Sequence, residues 1–251
     1  MKIAFSTLGC PDFSWTDIYS MAKDFGFDGI EIRGLGNEIF AVKAQPFTES
    51  QLPQTAKKLS ELSLEIPCFS SGCCLKFAEN ADKNHEEVVQ YITLASKLGT
   101  PFVRILADLE PEPQGEVDDN VVIEALKKLA PIAEEKGVTL LVETNGVYSD
   151  TARLCALLCS VASDAVAALW DVHHPYRYAG ETPGKTVQNL GAYIKYVHIK
   201  DSVVENGKTQ YRMLGEGDLP IDDIMMALRS INYEGYVSLE WVKRWAADLD
   251  D

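Results

Sequence analysis

Four residues of metal-binding type close apolar stretches in the second half of the chain. Glu143 ends VTLLVE from Val138, Asp171 ends AVAALWD from Ala165, His198 lies in YVHIK from Tyr196, and Glu240 closes VSLE in YVSLEW from Tyr236. Any one of them reads equally well as an ordinary polar cap. All four together call for a common cause, because an unpartnered charge at the end of an apolar segment is strongly penalised and a shared cation removes that penalty for the whole set. Three carboxylates and one neutral imidazole suit one divalent ion with positions open to substrate, Mn2+, Mg2+ or Co2+, with Zn2+ possible but less favoured by so many carboxylates.

One chemistry open to such a set is proton transfer beside a carbonyl. If Glu143 and Glu240 stand on opposite sides of the ion, a hydroxy-ketone lies between two carboxylates, one able to take a proton and the other to return it. The ion would polarise the carbonyl and stabilise the enediolate, where negative charge develops.

Other residues extend this constellation. Lys200 lies two positions beyond His198, on the same strand face, and can point toward the ion; the plain alternative is a surface lysine paired with Asp201. Glu31 and Arg33 share one face of GIEIRG, either as an interior ion pair or as a polar grip on substrate hydroxyls. Of Trp15, Trp170, Trp241 and Trp245, only Trp241, next to Glu240, is placed to stack on a sugar. His173 reads as a supporting or solvent-facing neighbour of His174, and His85 in DKNHEE as a solvated helix residue.

Residues so scattered can meet only if the elements carrying them converge. Short apolar runs recur at KIAFST from Lys2, GIEIRG from Gly29, LEIPCF from Leu64 and FVRILA from Phe102, and then at the four segments already named. All have strand length. Helical periods alternate with them: WTDIYSMAKDF, with Ile18, Met21, Ala22 and Phe25 on one face after a Ser14–Asp17 capping pattern, then VVQYITLASKL and NVVIEALKKLAPIAEEK. Gly26, Gly99 and Gly137 each follow such a run, as left-handed helix caps do.

This alternation predicts parallel strands with right-handed crossovers. Eight units without a break in composition predict one (β/α)8 TIM-barrel domain over residues 1–251, whose functional groups gather at the strand C-termini. An open doubly wound sheet is the alternative, but STLGCPDF stands where a glycine-rich phosphate turn would follow the first strand. The longest connection, ENGKTQYRMLGEGDLP from Glu205, is expected to form a flap over the mouth. After the last strand only VKRWAADLDD remains, so the eighth helix should be short or missing, and a second copy of the chain in a homo-oligomer could cover the gap.

With 38 acidic against 23 basic residues, a formal net charge of −15 opposes binding to nucleic-acid phosphates. No apolar run is long enough for a membrane span, and Gly9, Pro11 and Asp12 interrupt the N-terminal stretch before a signal-peptide core; the expectation is a cytoplasmic chain. The six cysteines are expected to be reduced and structural, with Cys155 and Cys159 on a buried helix face and Cys68, Cys73 and Cys74 lacking a second cluster to complete a metal site.

Five segments together resemble the xylose isomerase-like superfamily of sugar isomerases and epimerases: VETNG with Glu143, LWDVHHP with Asp171 and His174, VHIKD with His198 and Lys200, GEGDLPI in the flap, and VSLEW with Glu240. The resemblance implies a TIM barrel in which the Glu, Asp, His, Glu set binds Mn2+ or a similar ion, the two glutamates exchange the substrate proton, and His174 binds substrate oxygens. Ketose 3-epimerases of that group usually carry an arginine six residues after the metal histidine. Val204 stands there, which points away from free ketohexoses, and the VHIKD and GEGDLPI pattern is more similar to relatives acting on inososes, hydroxypyruvate or keto-glycosides. The resemblance therefore implies an isomerase or epimerase of a carbohydrate, with a dehydratase or β-elimination lyase as the alternative. The superfamily's abasic-site endonucleases use a trinuclear zinc cluster with more histidines than His85, His173, His174 and His198 provide, and a non-catalytic carbohydrate-binding barrel would not need paired glutamates.

Overall fold

A computed structural model describes residues 1–246, 248 and 249. Seven of its barrel strands run in chain order as β1 (Lys2–Ser6), β2 (Gly29–Glu31), β3 (Cys68–Cys74), β4 (Phe102–Leu106), β5 (Thr139–Glu143), β6 (Val166–Asp171) and β7 (Ile194–Ile199). A hairpin of β8 (Asp201–Glu205) and β9 (Lys208–Arg212) follows, before β10 (Tyr236–Leu239) completes the set. The eight barrel strands are parallel neighbours in the order β2-β1-β10-β7-β6-β5-β4-β3. Two parallel bridges, Gly29 with Glu65 and Ile32 with Phe69, join the ends of this order into a nearly closed TIM barrel.

Helices lie between the strands: α1 (Trp15–Asp24), α2 (Leu52–Leu62), α3 (Ala81–Leu98), α4 (Asp119–Glu135), α5 (Thr151–Val161), α6 (His173–Tyr178), α7 (Pro183–Leu190) and α8 (Ile221–Ser230). Ser14 and Asp17 form the expected capping box, and Gly26, Gly99 and Gly137 have φ of 75°, 70° and 65°. Phe25, expected on the buried face of α1, is instead exposed just past the helix end.

The third strand starts later than its apolar composition suggests. Pro67 has no N–H to give to a ladder, so Glu65 keeps only its contact with β2 and regular pairing with β4 starts at Cys68. The expectation for α5 also needs correction. Cys159 is exposed and Cys155 half-buried, because the buried face of the helix is formed by Leu154, Leu157, Leu158 and Val161. All six cysteines are free.

After β10 no helix follows among the described residues. The tail instead folds across the loops that follow β1 and β2: the Arg244 N–H donates to the Leu8 carbonyl, and Arg244 Nη1 to the Gly36 carbonyl. Ile3, on the outer face of β1, is left 48% exposed. No helix among the described residues is long and apolar enough to cross a membrane.

Inside the barrel, the period of two along each strand sorts residues by height. Ala4, Cys68, Leu141, Ala167, Leu169, Tyr196 and Tyr236 form a buried apolar cluster in the lower part. Two or four residues further along the same strands the inward positions are polar: Ser6, Ser70, Glu143, Asp171, His198 and Ser238.

Candidate metal centre

β5, β6 and β7 deliver Glu143, Asp171 and His198 from within their last two residues, and Glu240 is the first residue beyond β10. All four side chains are buried, and one ligand atom from each lies within 4.8 Å of all the others. His198 Nδ1 is 3.2 Å from Glu240 Oε1, 3.5 Å from Glu143 Oε1 and 3.9 Å from Asp171 Oδ2. None of these is a hydrogen bond, so this buried nitrogen has no hydrogen-bond partner. The other ring nitrogen, Nε2, is 3.0 Å from both oxygens of Glu31.

That pair of contacts is the test of fit for a metal. A ligating histidine usually donates one ring N–H to a carboxylate and turns the other nitrogen to the ion. Glu31 holds Nε2 here, and Nδ1 faces three carboxylates. Glu31 is itself fixed by Ser70 Oγ at 2.5 Å and Ser238 Oγ at 2.8 Å. The residues fit a divalent cation.

The electrostatics agree. Burial works against a charged imidazole, yet the Glu240 and Glu31 carboxylates outweigh it and hold His198 well above its usual range. Burial likewise favours the neutral form of Glu240, but His198 and Lys200 draw its carboxyl down to about 2. Glu143 is lowered by Arg104 and His198 against the same burial. Asp171 goes the other way: burial, joined by the charges of Glu240 and Glu143, outweighs the opposing pull of Lys200 and raises it. The site concentrates negative charge that protons or a metal must neutralise.

Lys200 is buried and bonds Asp171 and Glu240, not Asp201. His174 is also buried. Its Nδ1 lies 3.2 Å from the Thr144 carbonyl, and its Nε2 is 3.7 Å from Asp171 Oδ2. Burial first, then Lys200, depresses its pKa to about 3, so the ring is neutral; with a proton on Nδ1 donated to Thr144, Nε2 is an acceptor facing the centre. His173 does not face solvent: it is fully buried, with Nε2 2.9 Å from Ser202 Oγ. Asp171, His173 and His174 form a second close group that shares Asp171 with the first. His85 is half-buried on α3, away from both groups.

Glu31 and Arg33 do not pair with each other, since Glu31 is engaged by His198, Ser70 and Ser238. Trp241 is half-buried beside Gly9, where an added Cβ would come within 3.0 Å of the tryptophan Cβ. The Trp245 ring lies 5.4 Å from the Arg33 guanidinium.

Several functional-looking residues escape a strand-end reading. Arg104, on β4, reaches Glu143 Oε2 at 3.1 Å and donates to the Ser71 carbonyl at 2.8 Å. A lone arginine inside FVRIL was the available signal. Asp201 accepts backbone N–H bonds from Ser202, Gly215, Gly217 and Leu219, which ties the flap's base to the end of β7. A Cβ on Gly217 would fall 1.9 Å from Asp201 Oδ1, so GEGDLP needs that glycine for close approach. Asn145 Nδ2 holds the carbonyls of Asp108, Leu109 and Glu110, which explains the residue following Glu143 and Thr144.

Comparison with known proteins gives this geometry relatives. Fructoselysine 3-epimerase from Escherichia coli O157:H7 is 23% identical over 252 residues, covering 96% of this chain and 90% of the relative. The 3-dehydroshikimate dehydratase of Bacillus anthracis is 22% identical, covering 94% and 88%. The crystal structure of IolI protein with a zinc atom superposes with a TM-score of 0.80 at 17% identity, covering 96% of this chain and 89% of that one. Two of these are enzymes with different reactions, and the third is alike in fold. A family model described as xylose isomerase-like TIM barrel matches residues 20–250, and this chain therefore belongs to that family.

Proposed function

We propose that this protein is a divalent-metal-dependent isomerase or epimerase of a sugar or keto-sugar derivative. The observation that carries the reading is His198 Nδ1, buried within 4 Å of oxygens of Glu143, Asp171 and Glu240 while Glu31 holds the other ring nitrogen. Mn2+ suits the oxygen-rich donors best, and Mg2+, Co2+ or Zn2+ would also be accepted. A bound ion would supply Lewis acidity toward a substrate carbonyl.

The chain's own groups divide the remaining work. Each glutamate has one oxygen engaged, Glu143 by Arg104 and Glu240 by Lys200, and another facing His198. The engaged oxygens fix the carboxylates in place, and the two residues arrive from β5 and β10, which are separated by β6 and β7 in the ring. Glu143 and Glu240 are thus assigned to take and return the proton. The neutral His174, with Nε2 free to accept, orients a substrate hydroxyl. The relatives that are sugar epimerases support a small carbohydrate as substrate.

Lys200 favours a second reading. A buried ammonium touching both Asp171 and Glu240 would serve as a proton donor beside Glu240. Expulsion of a β-hydroxyl or glycosidic oxygen needs such a donor, which would make the enzyme a dehydratase or β-elimination lyase. The test is incubation of the metal-loaded protein with ketoses, inososes and 3-keto-glycosides in deuterated water, followed by NMR. An isomeric product labelled at the carbon next to the carbonyl supports the first reading, and an unsaturated product the second. Glu143→Gln and Glu240→Gln should each lower turnover by about 10²- to 10⁴-fold while keeping the ion. Full activity in either variant would contradict both readings.

A further inference from the structure

Arg33 is 8% exposed, and its Nη1 is buried without a hydrogen-bond partner. No carboxylate among the described residues forms an ion pair with it. The other buried cations each have one: Arg104 meets Glu143, and Lys200 meets Asp171 and Glu240. With 38 acidic residues in the chain, a shortage of carboxylates does not explain the exception. Glu31, two positions back on the same strand face, is used up on His198 and two serines.

The surroundings hold Arg33 charged but unsatisfied. Burial, then Arg104 and Arg244, weigh against its proton, with Tyr91 and Glu240 opposing, and the balance lowers it only to about 10. It remains a cation at neutral pH. The Arg33 N–H donates to Thr7 Oγ1, fixing the backbone, and the Trp245 ring lies against the guanidinium. Gly72 on β3 leaves room, since a Cβ there would stand 3.4 Å from Arg33 Nη2. Arg244, on the tail that crosses this rim, has Nε and Nη2 buried without partners as well. Two guanidinium groups with unsatisfied N–H bonds thus share one side of the mouth. Arg33 sits one inward position above Glu31, about 7 Å along the strand and hence one layer nearer the opening than the carboxylate that orients His198.

We propose that Arg33, assisted by Arg244, is an anion-binding residue at the barrel mouth, and that the substrate carries a carboxylate or phosphate group which it recognises. This rests on the mouth being the substrate site proposed above. A guanidinium offers a rigid fork of donors matched to planar carboxylate or to phosphate oxygens, so either anion would satisfy the stranded N–H groups. A net negative protein can still select an anion this way, because a local unpaired cation outweighs distant charges.

The test is isothermal titration of the Mn2+-loaded protein with D-gluconate, D-glucose 6-phosphate and neutral D-glucitol. At least one anion should bind ten times more tightly than glucitol, and the one that does identifies carboxylate or phosphate as the group. The preference should fall at least tenfold in Arg33→Gln and be partly kept in Arg33→Lys, with metal content unchanged. If Arg33→Gln does not fold, the comparison rests on Arg33→Lys and Arg244→Gln, and an unchanged preference in both overturns the proposal. It is also overturned if neither anion binds better than glucitol to the wild type, or if Arg33→Gln keeps the preference, as expected if water alone satisfies the guanidinium. Repeating the titration on metal-stripped protein separates this proposal from the functional reading. An Arg33-dependent preference that survives where no metal-dependent turnover is found keeps the anion site and sinks the metal enzyme. Metal-dependent turnover together with an anion preference that Arg33→Gln leaves intact does the reverse.

Discussion

The two ends of the barrel interior are built on the same strands and follow opposite rules. At the lower end, Leu141, Ala167, Leu169 and Tyr196 pack with Ala4, Cys68 and Tyr236 in an apolar plug. Two residues on, the same strands carry Glu143 after Leu141, Asp171 after Leu169 and His198 after Tyr196. Burying the first set is favourable without further help, by about 25 cal/mol per Å2 of apolar surface. Burying the second is unfavourable unless each charge meets a partner. The lower end therefore supplies stability, and the upper end spends some of it to hold three carboxylates, an imidazole and a lysine in one place.

This contrast can be broken by experiment. Leu169→Ala, at the lower end, should destabilise the fold by about 3 kcal/mol, the usual range for a buried leucine being roughly 2 to 5. Urea denaturation measures that loss, and metal content per folded chain should not change. A loss of metal in step with stability would show that the two ends are not separable.

A smaller effect sharpens the contrast from above. Burial, with His174 adding to it, depresses His173 to about 2, whereas an unfolded chain binds that proton near the ordinary value of about 6.5. Below about pH 6.5 the unfolded state thus takes up a proton that the native state refuses. Stability from this residue is complete above that pH and is lost as pH falls toward the native value. Between pH 6.5 and 5 the loss amounts to about 2 kcal/mol. His198, raised in the folded state, pulls in the opposite direction over the same range, so the measurement is the difference between wild type and His173→Gln at each pH. A variant whose acid sensitivity matched the wild type would contradict the buried neutral state of His173.

How far the sequence alone reveals these features follows from the physics of each. Glu143, Asp171, His198 and Glu240 were visible because each breaks an apolar run where a parallel strand ends, a rule that depends only on local order. The barrel itself was legible for the same reason, through strand, helix and capping glycine in alternation. The position of β3 was not, because Pro67 acts through the ladder it cannot join rather than through hydrophobicity. Lys200 and Asp201 illustrate a deeper limit. Adjacent opposite charges suggest a pair, yet strand alternation turns one inward to Asp171 while the other binds flap amides more than ten residues away. Arg33 and Glu31 are a second case. Their shared face was evident, but which of them found a partner depended on His198, 167 residues distant from Glu31.

The central claim is that the upper end of the barrel is a metal centre organised around His198 Nδ1. Its most direct measurement is metal content by mass spectrometry after equilibration with Mn2+ and removal of free ion, in wild type and in a variant with alanine at Glu143, Asp171, His198 and Glu240. The account predicts one ion per wild-type chain and none in the folded variant. Equal, stoichiometric metal in both proteins, or none in the wild type under any divalent ion tried, would contradict it.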